Sequence, residues 1–206
     1  MNNIGSGGIA TISLLTSFLL IGATTSSVMF GASDDLAIDA EQIANDALNE
    51  ITTYLKIDDV IGKYYTSNGI CEVEKIVILV KPFTRNTINM SDVIIKICNN
   101  NNIMLLDYSG YAVESNSGAL FEHHVWATIN NTFGLIVTLD KDRSLLDYGI
   151  MNGDIAFIAV KLSDQFAMGN RESLAISIIP TKGITSSVFL ETPSFHSSNI
   201  ISFWEM

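Results

Sequence analysis

The side chains best suited to chemistry are few in this 206-residue chain, and their spacing brings few of them together. His123 and His124 are adjacent, so on a strand they would point to opposite faces and could not serve one metal. His196 stands alone near a turn. Asp34-Asp35, Asp58-Asp59 and Asp140/Asp142 are acid pairs of the kind usually found on solvated surface. Asp140, Asp142 and Asp154 sit at turns and form a candidate oxygen-donor site for calcium or magnesium. The glycine cluster Gly5-Ser6-Gly7-Gly8 leads into an apolar run with no strand before it, which excludes the usual phosphate cradle. There is no Cys-x-x-Cys, no Gly-x-Ser-x-Gly and no His-Glu-x-x-His. No catalytic residue and no required cofactor is predicted, and the chain does not read as an enzyme.

Two cysteines, Cys71 and Cys98, border strand-like runs. If residues 74–80 and 93–98 pair antiparallel, both cysteines fall at the same end of the ladder, within the ~4.4–6.8 Å Cα separation a disulfide needs; inside a cell they read as two buried thiols. Asn89-Met90-Ser91 and Asn130-Asn131-Thr132 are the two Asn-x-Ser/Thr sequons, so Asn89 and Asn130 are the candidate N-glycan attachment sites.

The elements that would carry these residues divide the chain in two. No charged residue or histidine occurs from Met1 to Ser33, whereas the chain as a whole is 48% hydrophobic with mean hydropathy +0.33. Residues 9–32 are long enough as a helix to cross the roughly 30 Å hydrocarbon core of a bilayer. A secretory signal or a simple anchor would carry a basic flank. None precedes the segment, and Asp34-Asp35 follow it, which suggests a leader already removed. Thr11, Ser13, Thr16, Ser17, Gly22, Ala23, Thr24 and Thr25 make the run rich in small and hydroxyl residues, a composition that suits helix-on-helix packing. The candidate packing residues are Ile9, Ile12, Leu14, Leu15, Phe18, Leu19, Leu20, Ile21, Val28, Met29 and Phe30. A lone membrane anchor remains the alternative. Apolar positions at helical spacing continue through Ile43 and Ile51 to about Leu55, with acids between them.

From about Val60 the pattern changes to short β-branched and aromatic runs separated by turn residues. Strands are expected at residues 74–80, 93–98, 103–108, 125–130, 134–138, 155–162, 174–180, 186–191 and 199–203. The predicted class is α+β: a hydrophobic N-terminal helix over residues 1–57, then an immunoglobulin-like antiparallel β-sandwich head over 58–206. Net charge is −11, with 22 acidic against 11 basic residues, which argues against nucleic acid and anionic membrane surfaces as partners. In a side-by-side assembly the same charge makes salt and divalent cations matter.

Several stretches resemble the archaeal flagellins, or archaellins. Gly8-Ile9-Ala10-Thr11 is similar to the Gly-Ile-Gly-Thr opening of that family's helix. Residues 176–183 (ISIIPTKG) and 188–194 (VFLETPS) resemble its closing pattern of strand, Ile-Pro-x-x-Gly, strand and Thr-Pro-Ser, and Asn152-Gly153-Asp154-Ile155 resembles the turn preceding that close. The resemblance implies a subunit of the archaellum, the extracellular swimming filament of archaea. It would form a homopolymer or a copolymer with a paralogous subunit, with helices as core and heads as shell. It further implies a membrane-inserted precursor cut by a prepilin-type peptidase, and N-glycosylated heads. An archaeal type IV adhesion pilin shares this plan, although Gly5 stands where bacterial pilins place Glu. A membrane-anchored binding or stator protein with an immunoglobulin-like head is the third reading.

Overall fold

The first element is a single helix, α1 (Ile4–Thr52). The computed structural model describes residues 4–67, 70–84, 86–115, 119–195 and 198–203, with side chains in α1 described from Ile12 to Leu48. No proline interrupts the segment, and four of its hydroxyl residues bond within the helix. Thr16 Oγ1 donates to Ile12 O at 3.0 Å, Ser17 Oγ to Ser13 O at 2.8 Å and Thr24 Oγ1 to Leu20 O at 3.0 Å; Thr25 Oγ1 donates likewise to Ile21 O. Those hydroxyls are turned onto the backbone one turn back, so a polar sequence position presents a largely apolar surface.

The head contains β1 (Leu55–Ser67), β2 (Ile70–Pro82), β3 (Ile88–Asn89), β4 (Val93–Cys98), β5 (Ile103–Glu114), the short helix α2 (Val125–Thr128), β6 (Thr132–Leu139), the short helix α3 (Ser144–Tyr148), β7 (Ile150–Met151), β8 (Ile155–Lys161), β9 (Ser173–Pro180), β10 (Ser186–Glu191) and β11 (Ile200–Ser202). One nine-stranded ladder runs β10-β9-β4-β5-β6-β8-β2-β1-β11, and β3 pairs separately with β7. Every contact in the ladder is antiparallel except β5 with β6. β5 joins the two halves: its residues 103–106 pair with β4, and Asp107, Tyr108 and residues 112–114 pair with β6. The ladder folds over at this strand. Inward side chains from one half (Ile76, Ile78, Phe133, Ile158) and the other (Ile95, Ile97, Ile176, Ile178) therefore share one fully buried core. This is the expected sandwich, built as one continuous ladder.

A smaller cluster lies on the opposite face of β2, β6 and β8, where Val77, Ile136 and Ala159 are covered by Phe121, Val125, Trp126 and Ile129. Gly134 permits that cover to sit close: a Cβ there would lie 2.5 Å from Val125 Cγ2.

Three sequence expectations are corrected. Helix α1 ends at Thr52, short of Leu55, because the head captures the next residues: Phe83 N donates to Tyr54 O at 3.0 Å, Ile184 N to Thr53 O at 2.9 Å, and Leu55 is fully buried as the first residue of β1. A bulge between Ile57 and Asp59 shifts the inward positions of β1 to Leu55, Ile57 and Val60, which breaks the strict alternation that marks a strand. Residues 125–128 of the expected strand 125–130 form α2 instead. Val125, Trp126 and Ile129 are its buried face, an i, i+1, i+4 set that is helical spacing. Finally, the ladder expected between residues 74–80 and 93–98 does not form: β2 lies between β1 and β8, and β4 between β5 and β9.

Candidate functional site

Two features of this chain go beyond packing its own core. The first is α1. Ile12, Leu14, Leu15, Phe18, Leu19, Leu20, Ile21, Val28, Met29 and Phe30 are all exposed, between 61% and 73%, and they surround the helix on every side. An 18-residue run within Ile12–Leu48 has mean hydropathy 1.6, and the helix is long and apolar enough there to cross a membrane, yet none of that run is buried within the chain. The side chain of Ile9 lies outside the described residues, as do those of the Gly5–Gly8 cluster. At roughly 1.5–3 kcal/mol for each large side chain taken out of water, this segment has a strong drive toward lipid or other helices. Its second half carries Asp34, Asp35, Asp39, Glu41 and Asp46, all exposed.

The second feature is a carboxylate cluster. Asp140 directly follows β6 and Asp154 directly precedes β8, so the pairing of those strands brings together residues far apart in sequence. One oxygen each of Asp140, Asp142 and Asp154 lie within 4.8 Å of one another. Backbone donors fix the three groups. Asp140 Oδ2 accepts from Leu145 N and Leu146 N at 3.1 and 3.0 Å, Asp142 Oδ1 from Ser144 N at 3.0 Å, and Asp154 Oδ2 from Asn152 N at 2.8 Å. Asp154 is only 2% exposed, and the Oδ1 of Asp140 is buried without a hydrogen-bond partner. Burial pushes the Asp154 carboxyl up, and the charges of Asp140 and Asp142 add to that push. Asp142, held by Ser144, is shifted down. The nearby guanidinium of Arg143 turns instead to Glu114 and Asp147, at 3.4 and 3.8 Å. Oxygen-only donors, crowded and partly desolvated, match the ligand preference of a hard divalent cation.

The head's first residues are held by a clamp from two loops. Gly183, with φ +115°, lies so close to the Thr53 carbonyl that an added Cβ would sit 1.9 Å from its oxygen. Ile184 N donates to Thr53 O, Asn86 Nδ2 to Thr53 Oγ1 at 2.9 Å, and Ser186 Oγ to Leu55 O. The rings of Tyr54 and Phe83 stack at 4.7 Å.

The remaining candidates are scattered. Cys71 and Cys98 lie on strands that do not pair with each other, and Cys98 Sγ donates to Asn99 O at 3.3 Å. The predicted disulfide thereby loses its geometric premise. Asn89 and Asn130 are both exposed, with Asn89 Oδ1 accepting from Ser91 N at 3.0 Å. His123 and His124 stand at the entrance to α2 rather than on a strand, and His196 lies outside the described residues.

Comparison with known proteins agrees with this architecture. The family described as archaeal-type flagellin matches residues 5–189. Flagellin B3 of Methanocaldococcus jannaschii is 25% identical over 207 residues, covering 96% of this chain and 94% of the relative. Among solved structures, archaeal flagellin FlaB1 of M. jannaschii superposes with TM-score 0.63 at 19% identity, over 73% of this chain and 96% of that one. The subunit in the archaeal flagellum of Methanospirillum hungatei superposes with TM-score 0.63 at 15% identity, over 94% of this chain and 98% of that one.

Proposed function

This chain belongs to the archaeal-type flagellin family, and on that footing we propose that it is the structural subunit of an archaellum, polymerising into the helical filament that drives swimming. The observation that carries the reading is the apolar helix: residues 12–30 expose large side chains on all sides and bury none of them within the chain. In a polymer each such helix is surrounded by others, and the internally bonded hydroxyls let the backbones approach without stranding polar groups. The head closes a core of its own, which suits a shell element carried on that helix. The reading extends to an extracellular location, a precursor held in the membrane by α1 and cut by a prepilin-type peptidase, and polymerisation with itself or with a paralogous subunit.

Electron microscopy of the purified full-length protein tests it. Filaments are expected from the wild type, and only monomers or detergent micelles would refute the reading. Leu15→Asp or Leu19→Asp is expected to abolish filaments, since a charge unpaired in a dry bundle costs several kcal/mol per subunit. Normal filaments from either variant would show that the helix is not the core.

The Asp140–Asp142–Asp154 cluster supports a second element of the proposal, a structural divalent cation in the head. The three side chains would hold it, and the charge it supplies would offset their mutual repulsion and partner the buried Asp140 Oδ1.

A further inference from the structure

Three lysines stand in a row across neighbouring strands. Lys63 on β1 lies directly opposite Lys75 on β2, and Lys75 directly opposite Lys161 on β8, so all three side chains leave the same face. Like charges directly opposed destabilise a sheet, and this row takes three of the 11 basic residues in a chain of net charge −11.

The same pair of strands contains an internal contrast. Lys56 and Lys81 are also directly opposed, but Asp58 bridges them at 2.8 and 2.5 Å. Among the described residues no carboxylate bridges Lys63, Lys75 or Lys161. Ring faces hold two of these ammonium groups instead. Lys75 Nζ lies 4.9 Å from the centre of Tyr65 and 5.0 Å from that of Trp126, while Lys63 Nζ lies 5.5 Å from Tyr65 and 5.9 Å from Phe121. Such contacts position a cation without neutralising it. The two lysines, with Glu122, His123 and Trp126, line an open concavity of about 530 Å³, and Glu122 forms no ion pair with either lysine. Two ammonium groups positioned on ring faces and bridged by no carboxylate are the chemistry of a carboxylate receptor.

Resting on the filament reading above, we propose that this lysine row is an assembly contact receiving acidic side chains of a second copy of the chain. Charge complementarity identifies the occupant. The first 55 residues contain no basic residue, and Asp34, Asp35, Asp39, Glu41 and Asp46 are all exposed on α1. Packing many copies crowds these acids together, and the helices themselves offer nothing to offset them.

Assembly of the full chain, measured by sedimentation and electron microscopy at low and high salt, tests the contact. Relative to wild type, Lys63→Glu/Lys75→Glu is expected to raise the unassembled subunit concentration roughly tenfold at low salt. The difference should shrink near 1 M salt, where the screening length falls to about 3 Å. Adding Asp39→Lys/Glu41→Lys to the same chain is expected to restore assembly. Lys161→Glu, at an exposed position, keeps the test valid if the double variant fails to fold, and unchanged melting temperatures verify the fold. Wild-type assembly by both lysine variants at low salt overturns the proposal. Weakened assembly that the helix reversal does not restore overturns α1 as the occupant. A wild type that forms no filaments at all refutes the filament reading and takes this contact with it.

Discussion

Gly183→Ala is the most direct test of how the head grips its first residues. The added Cβ would lie 1.9 Å from Thr53 O and 2.9 Å from Thr53 C, both rigid backbone atoms, at φ +115°. An ordinary carbon–oxygen contact lies beyond 3 Å, so the loop has to retreat by more than an ångström. That movement breaks the Ile184 N–H···O Thr53 bond of 2.9 Å and pulls on the Ser186 hydroxyl bonded to Leu55 O. A sparsely allowed backbone conformation costs about 1–3 kcal/mol, and each lost hydrogen bond about 0.5–1.5 kcal/mol. The substitution should therefore destabilise the head by roughly 2–5 kcal/mol. For a domain of this size, at about 2–4 °C per kcal/mol, the melting temperature should fall by roughly 5–20 °C. Thermal unfolding of the full-length protein in detergent, followed by near-ultraviolet circular dichroism, measures the change. A fall under about 2 °C would refute the clamp as described. Gly153→Ala is the informative control, since it also has positive φ (+78°) but meets no atom within 4 Å, so it should lose only the conformational part.

At a calcium concentration a hundredfold above its Kd, binding should add about 2.7 kcal/mol and raise the melting temperature by roughly 5–10 °C relative to chelator. Asp154→Asn should abolish that shift while melting no lower than wild type in chelator, because it removes a buried, repelled charge; an intact shift would exclude Asp154 as a ligand. The Asp58 carboxyl is held below the usual carboxylate range first by its hydrogen bond with Lys56 and then by that with Lys81. Its contribution is thus present at neutral pH and above the ordinary carboxylate pKa, and is lost as pH falls through its own lower value. Asp58→Asn should flatten the acid limb of stability against pH, and an unchanged limb would deny the bridge any role. Intact mass of the protein from its native host should exceed the sequence mass by glycan increments that Asn89→Gln and Asn130→Gln remove, and a mass equal to the polypeptide would exclude modification at both.

The elements that could be read from the sequence were those in which one physical signal dominated. Helix α1 announces itself by its lack of charge, and β4, β8, β9 and β10 by β-branched runs bounded by turn residues. β1 was hidden by its bulge, and α2 by β-branched residues whose spacing, not type, carried the information. Asp140, Asp142 and Asp154 were identifiable as turn-borne acids, but their convergence depends on the antiparallel pairing of β6 with β8. The strand pairing assumed for the two cysteines failed for the converse reason. Neighbours in sequence were assumed to be neighbours in the sheet, whereas β2 and β4 are separated by β8, β6 and β5. Strand order is set by long-range closure, and the lysine row is equally invisible until the registers of β1, β2 and β8 are known.

The pairing of β11 with β1, Ile61 opposite Ser202 through Lys63 opposite Ile200, ties the last described strand to the first strand of the head. Those contacts close a loop across most of the chain, and the entropy cost of that closure predicts that the seam forms late in folding. Until residues 200–202 arrive, the edge of β1 exposes unpaired backbone groups to any passing strand, including one from another copy. A chain cut before Ile200 would carry that open edge permanently, and its characteristic failure would be strand exchange between heads rather than loss of the helix.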